Sequence, residues 1–116
     1  MFPLATYTND QNSRDLDNAE ALGVHLVLSI VASGVAGSNV SFYIEGKDEV
    51  SDTYYTLLQS AVLTLNGTTV VKVYPGLTAA TNLVASDHLP RIWRVRADHS
   101  STTDPIRYSV AGSLLD

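Results

Sequence analysis

From Gly23 onward apolar and polar residues alternate with a period of two, the pattern of half-buried strands. Val24, Leu26, Leu28 and Ile30 fall on one face of a first strand, with His25, Val27, Ser29 and Val31 on the other. This strand is apolar on both faces, which predicts either a central strand covered by the N-terminal segment or a surface buried in an assembly. A small-residue turn over Ser33–Ser38 precedes a second strand. There Val40, Phe42 and Ile44 point inward and Ser41, Tyr43 and Glu45 outward. Residues 46–52 read as a charged loop, and Tyr54–Leu58 as another strand. Asn66-Gly67 between Val62–Leu65 and Thr68–Tyr74 predicts a hairpin, because both turn residues tolerate positive φ. Residues 78–89 lack alternation and read as a loop with one helical turn. The last predicted pair is Ile92–Asp98, with Trp93, Val95 and Ala97 on one inward face, and Ile106–Leu114, with Ile106, Tyr108, Val110, Gly112 and Leu114 sharing one face. A polar loop, His99–Pro105, joins them.

Six or seven short strands with turns at regular spacing predict an all-β fold: one antiparallel β-sandwich, immunoglobulin-like or jelly-roll-like. Residues 1–21 have no clear period. Although Arg14–Leu22 could form a short helix, an extended N-terminal arm is predicted there, with the sandwich over residues 22–116. The start of the chain has no basic region followed by an apolar run, so no signal peptide is read and synthesis in a host cytoplasm is expected. The sequons at Asn39 and Asn66 are read as chance. No segment is long and apolar enough to be read as a membrane span.

The 116 residues include 7 basic and 12 acidic side chains, a net charge of −5, and no cysteine. The absence of cysteine excludes disulfides, thiolate chemistry and cysteine-type zinc sites. A net-acidic chain argues against nucleic-acid binding through phosphate contacts. Ser86-Asp87-His88 places triad-type residues side by side in sequence, but a triad needs them adjacent in space, and no Gly-x-Ser-x-Gly elbow is present. It reads as a polar loop, with Asp87 capping a turn. Asp15–Glu20 begins like a calcium loop but lacks the third ligand and the glycine. Glu45, Asp48, Glu49 and Asp52 read as solvated charges between strands, and His25, His88 and His99 show no ligand spacing. Neither a cofactor nor a metal is expected, and the chain is not expected to be an enzyme.

Charge is distributed unevenly. Residues 1–52 carry two basic and eight acidic residues, and residues 53–116 carry five and four. If the last two strands pair, period two gathers Arg94, Arg96 and Arg107 on one sheet face. Either Asp98, Asp104 or the acidic arm answers them, or they dock an acidic partner surface. Six tyrosines and Trp93 suggest a third use, a glycan-binding platform built on Tyr54, Tyr55 or Trp93.

Five segments, Gly46-Lys47-Asp48, Tyr54–Ala61, Val73–Leu77, Leu89–Arg96 and Tyr108–Leu114, occur in an order that resembles small tailed-phage proteins, over residues 11–115. Such proteins are typically encoded among virion-structure genes, near the major capsid protein. The resemblance implies a structural head auxiliary protein: a decoration or cement protein on the capsid exterior, with the major capsid protein as partner and no catalytic motif. A homo-oligomer would suit this role, and a trimer on local three-fold axes would be natural. Contacts are expected from the arm, including Tyr7, Arg14, Asp15 and Asp17, and from Arg94, Arg96 and Arg107. Truncating the first fifteen residues is expected to weaken capsid binding while leaving the fold intact. A tail, connector or adsorption component is the alternative virion role.

Overall fold

The alternating apolar positions line the space between two packed sheets. A computed structural model of the chain describes residues 2–7, 9–18, 20–33, 39–63, 67–99 and 106–115. Among these residues there are ten strands and no helix: β1 (Phe2–Tyr7), β2 (Gln11–Asn12), β3 (Leu16–Asp17), β4 (Gly23–Ser33), β5 (Val40–Asp48), β6 (Thr53–Gln59), β7 (Gly67–Val73), β8 (Val84–Ala85), β9 (Ile92–His99) and β10 (Ile106–Leu115). One sheet has the order β1-β10-β4-β7-β8 and is called the β4 sheet below. The other, the β9 sheet, has the order β2-β9-β5-β6, with β3 also paired to β9. Every pair is antiparallel except β7 with β8. The chain is therefore an all-β sandwich.

The core lies between the inner faces. Val24, Leu26, Leu28, Val71, Val73, Ile106, Tyr108 and Val110 enter it from the β4 sheet, and Val40, Phe42, Ile44, Leu58, Trp93, Val95 and Ala97 from the β9 sheet. The inward sets expected for β4, β5 and β9 are buried as their alternation requires; in β10 Ile106, Tyr108 and Val110 are buried, but Gly112 and Leu114, expected on the same face, are exposed. Gly46 has a packing reason. It stands opposite Trp93, and a Cβ there would come within 2.6 Å of both the Tyr55 ring and Pro90.

Three expectations are corrected. First, β7 does not form a hairpin with the segment before it. It pairs with β4 and β8, while Leu63 bridges Val40 beside the other sheet. The chain passes between sheets here because Val71 and Val73 complete the inner face of the β4 sheet. Gly67 takes φ 152°, a value open to glycine, and Asn66 lies outside the described residues. Second, β9 and β10 do not pair. Their apolar faces oppose each other across the core, so they belong to different sheets. Third, residues 78–89 hold turns around the two-residue β8 and no helix. Two loop boundaries also move, since β5 runs on to Asp48 and β9 to His99. The turn 34–38 and the loop 100–105, with Asp104, lie outside the described residues.

The N-terminal segment is extended, and neighbouring strands of its own chain hold it. β1 adds to the edge of β10, and Phe2 is buried in the core. The chain then changes sheets: the Asp10 carboxylate accepts from the His99 amide at 2.7 Å, and β2 adds to β9. Ser13 exchanges two hydrogen bonds with Val95, donating its amide at 2.8 Å and accepting at its hydroxyl at 2.9 Å. The buried Asn18 side-chain amide donates to the carbonyls of Leu89 and Pro90 at 2.9 and 3.1 Å, in the stretch that resembled a calcium loop. These strands close one side of the sandwich, so truncation would uncover two sheet edges and part of the core. The expectation that residues 1–15 can be removed without cost to the fold is revised.

Tyr108 joins the layers. Its ring packs edge-on against Phe2 and Phe42 and stacks on Tyr7 at 4.6 Å between centroids. Its hydroxyl meets His99 Nε2 at 2.8 Å. Burial pushes the Tyr108 hydroxyl above its ordinary pKa. Burial likewise holds the His99 imidazole below its ordinary 6.5, outweighing Asp10 and Asp98, which act the other way.

Two outcomes follow from this packing. Phe2→Ala should lower the unfolding free energy by about 3 kcal/mol in denaturant titration. With a depressed folded-state pKa at His99, the unfolded chain binds the proton more readily, so stability should fall as pH drops below about 6.5. His99→Gln should flatten that dependence; an unchanged pH profile would exclude His99 as its source.

Candidate functional site

The outer face of the β9 sheet holds most of the charged groups singled out in the sequence. Period two puts Tyr43, Glu45 and Lys47 of β5 beside Arg94 and Arg96 of β9 and Tyr54 of β6. Glu45 is 6% exposed, unusually low for a carboxylate on an outer face. It accepts from Arg94 Nε at 2.8 Å and from Arg96 Nε at 3.3 Å. The Arg94 guanidinium lies 3.5 Å from the centre of the Tyr54 ring, and that of Arg96 lies 4.0 Å from the centre of Tyr43. Stacked this way, each arginine is held by a carboxylate in its plane and a ring on its face.

A second, more exposed layer sits on this one. The Tyr54 hydroxyl donates to Asp15 at 2.6 Å, and Lys47 bridges Asp15 at 3.0 Å and Asp52 at 2.8 Å. The Tyr54 hydrogen bond and then Lys47 hold the Asp15 carboxyl below its usual range. Asp15 in turn raises Tyr54, and Asp52 followed by Asp15 raises Lys47.

The expected arginine face is therefore divided. Arg94 and Arg96 are together, and Glu45 answers them rather than Asp98 or the arm. Arg107 is exposed on β10 in the other sheet and cannot join them. Tyr7 points inward onto Tyr108, Arg14 is exposed, and Asp17 lies 4.0 Å from Arg91. Glu45 was read as a solvated charge. Its strand position was legible, but its burial depends on β9 being the next strand, which alternation does not reveal. The aromatic platform is also redistributed. Trp93 is in the core, Tyr54 carries Arg94 on its face, and Tyr55, 46% exposed, lies against the Gly46 position. Ser86, Asp87 and His88 are exposed, and the Asp87 carboxylate accepts from the adjacent His88 amide at 2.8 Å. Among the described residues no three His, Asp or Glu side chains gather as a metal site would need, and no helix is long and apolar enough to cross a membrane.

The outer face of the β4 sheet contrasts with this. None of its five strands contains an aspartate or glutamate. Across its middle the register aligns Ala111, Val27 and Val70, with Ser109, Ser29 and Thr68 alongside. Val27, Val31 and Val70 are 37%, 43% and 43% exposed, and the N-terminal segment lies at the sheet edge without covering them. Lys72 and His25 stand at one end and Arg107 at the other, roughly 20 Å away along the strands. Beside Lys72, Leu77 and Leu115 help line an open notch of about 290 Å³.

The chain matches no family model, and searches of curated proteins and of solved structures return no significant match.

The two layers of the charged network should differ in weight. Glu45→Ala leaves two half-buried guanidinium groups sharing no carboxylate, and should cost about 2–3 kcal/mol in denaturant titration. Asp15→Asn, at an exposed pair, should cost under about 1 kcal/mol. Equal costs would contradict the assignment of Glu45 as the anchor.

Proposed function

We propose that the chain is a structural docking protein of a tailed-phage head, a decoration or cement protein that lies on the capsid exterior with the outer face of its β4 sheet toward the major capsid protein. The observation that carries this reading is the face just described, whose strands hold no carboxylate: a valine centre with cations at both ends, on a chain of net charge −5. Scattered single apolar residues are ordinary on a surface, but aligned valines on neighbouring central strands form a patch. The complementary surface has small apolar groups flanked by carboxylates. The resemblance to phage head proteins supplies the particle, and the sheet supplies the contact. Such a role asks for rigidity and contact area and makes no demand for a reaction centre.

This replaces the arginine face and the arm as the proposed contacts. Arg94 and Arg96 are committed to Glu45, and β1–β3 are strands of the fold. The strand addition that an extended arm could have offered to a neighbour takes place within the chain.

Co-sedimentation with particles lacking this protein tests the surface. Val70→Asp puts a charge on an exposed position in the middle of the face, so the fold should persist while binding falls at least about tenfold. Lys72→Glu and Arg107→Glu should weaken binding and reverse its response to salt. Binding unchanged in Val70→Asp, or lost in Arg96→Gln with the fold intact, would place the contact on the other sheet.

A further inference from the structure

The buried imidazole of His99 is satisfied on one side only. Its Nε2 meets the Tyr108 hydroxyl at 2.8 Å, while its Nδ1 is buried with no hydrogen-bond partner among the described residues. A neutral ring bears this at the cost of one missing bond. A charged ring does not: whichever nitrogen holds the first proton, the imidazolium carries an Nδ1–H with no acceptor in the core. The surroundings do little to offset that cost. β5 sets the apolar Val40 opposite His99, β10 brings Tyr108, and β1 brings Tyr7 onto Tyr108. Asp10 and Asp98 favour the charged ring, and burial outweighs them. Asp104 lies outside the described residues.

The N-terminal segment closes the sandwich over this pair. Tyr7 stacks on Tyr108, Phe2 packs edge-on against it, and the Asp10 carboxylate accepts from the His99 amide. Otherwise the segment is lightly tied. β1 is an edge strand with Pro3 and a register shift, and β2 has two residues. β9 and β10, in contrast, each have strands on both sides. Beyond β2 the hold becomes firm again, at the two Ser13–Val95 hydrogen bonds and at the buried Asn18 side chain. Local opening begins where such ties are fewest.

We infer that His99 and Tyr108 form an acid-sensitive latch on the N-terminal segment: protonation of His99 releases β1 and β2 while the rest of both sheets stays folded. Release admits water to Nδ1 without taking the two sheets apart. It uncovers the edge of β10 and the end of β9 at Arg96 and Ala97, edges to which another strand can add. The loss of stability expected below pH 6.5 thereby acquires a local first step. The latch uses the outer face of neither sheet, so it and the docking role can fail separately.

Hydrogen exchange of the isolated chain at pH 7.5 and 5.0, corrected for intrinsic rates and repeated in low urea, tests the latch. Protection of the β1 and β2 amides should fall at pH 5.0 by about tenfold, and by no more than about thirtyfold, the limit for one proton taken up by a group of ordinary pKa 6.5. These amides should exchange faster than those of β4 and β5 at both pH values, through an opening that urea does not promote. His99→Gln should remove the pH effect. Tyr7→Ala keeps His99 in place, so it serves even where the glutamine variant fails to fold. By loosening β1 it should raise the His99 pKa toward 6.5 in an NMR titration, because release and protonation favour each other. Four results would overturn the inference: equal protection of β1 and β2 at the two pH values, a pH effect that survives in His99→Gln, β1 amides that open only together with the core and with the same urea dependence, or an unmoved His99 pKa in Tyr7→Ala.

Discussion

Tyr108 is the point at which the layers of this sandwich are tied. From β10 its ring reaches Phe2 and Tyr7 of β1 and Phe42 of β5, and its hydroxyl reaches His99 of β9. Four strands from both sheets thus share one side chain. A phenol serves here where phenylalanine would leave His99 Nε2 without a partner in the core, and an unmade buried hydrogen bond is costly. The N-terminal segment depends on the same packing. Phe2 and Tyr7 hold β1 against Tyr108, and Asp10 then holds the His99 amide as the chain moves to the second sheet. A segment that looked free is thereby fixed at both edges of one side of the sandwich.

The charges divide the exterior into two unlike faces. On the β9 sheet the acids and bases answer one another, with Glu45 under two arginines and Asp15 between Tyr54 and Lys47. Such a face has little left to offer a partner, because its guanidinium groups already have carboxylates and rings. The strands of the β4 sheet carry no acid beside its marginal cations and leave its valines exposed. This division, more than the total charge, argues for which side meets a neighbour.

Strand alternation made the core legible. Val24 to Ile30, Phe42, Ile44, Trp93, Val95, Tyr108 and Val110 could all be placed inward before any contact was known. Pairing could not be read in the same way. A period of two tells which face of a strand is buried and not which strand lies beside it. The hairpin at Asn66-Gly67 and the β9–β10 pair both failed on that ground, and with the second went the idea of a three-arginine face. Glu45 and His99 were misplaced for a related reason. Each is a polar residue near a strand end, and its burial is decided by partners about 50 and 9 residues away, respectively Arg94 with Arg96 and Tyr108. Leu4, Pro3 and the polar residues that follow gave no period, so the strands formed by the first 17 residues had no signal beyond the lack of one.

The most direct measurement of the proposed role is cryo-electron microscopy of purified tailed-phage heads carrying this chain, at a resolution that orients the sandwich. Density for the domain at repeated capsomer positions, with Val27, Val70 and Lys72 facing the shell and Glu45 facing solvent, is the predicted result. Density with the β9 sheet against the shell, only at a tail or vertex, or nowhere on the particle would contradict the docking role proposed for the β4 sheet.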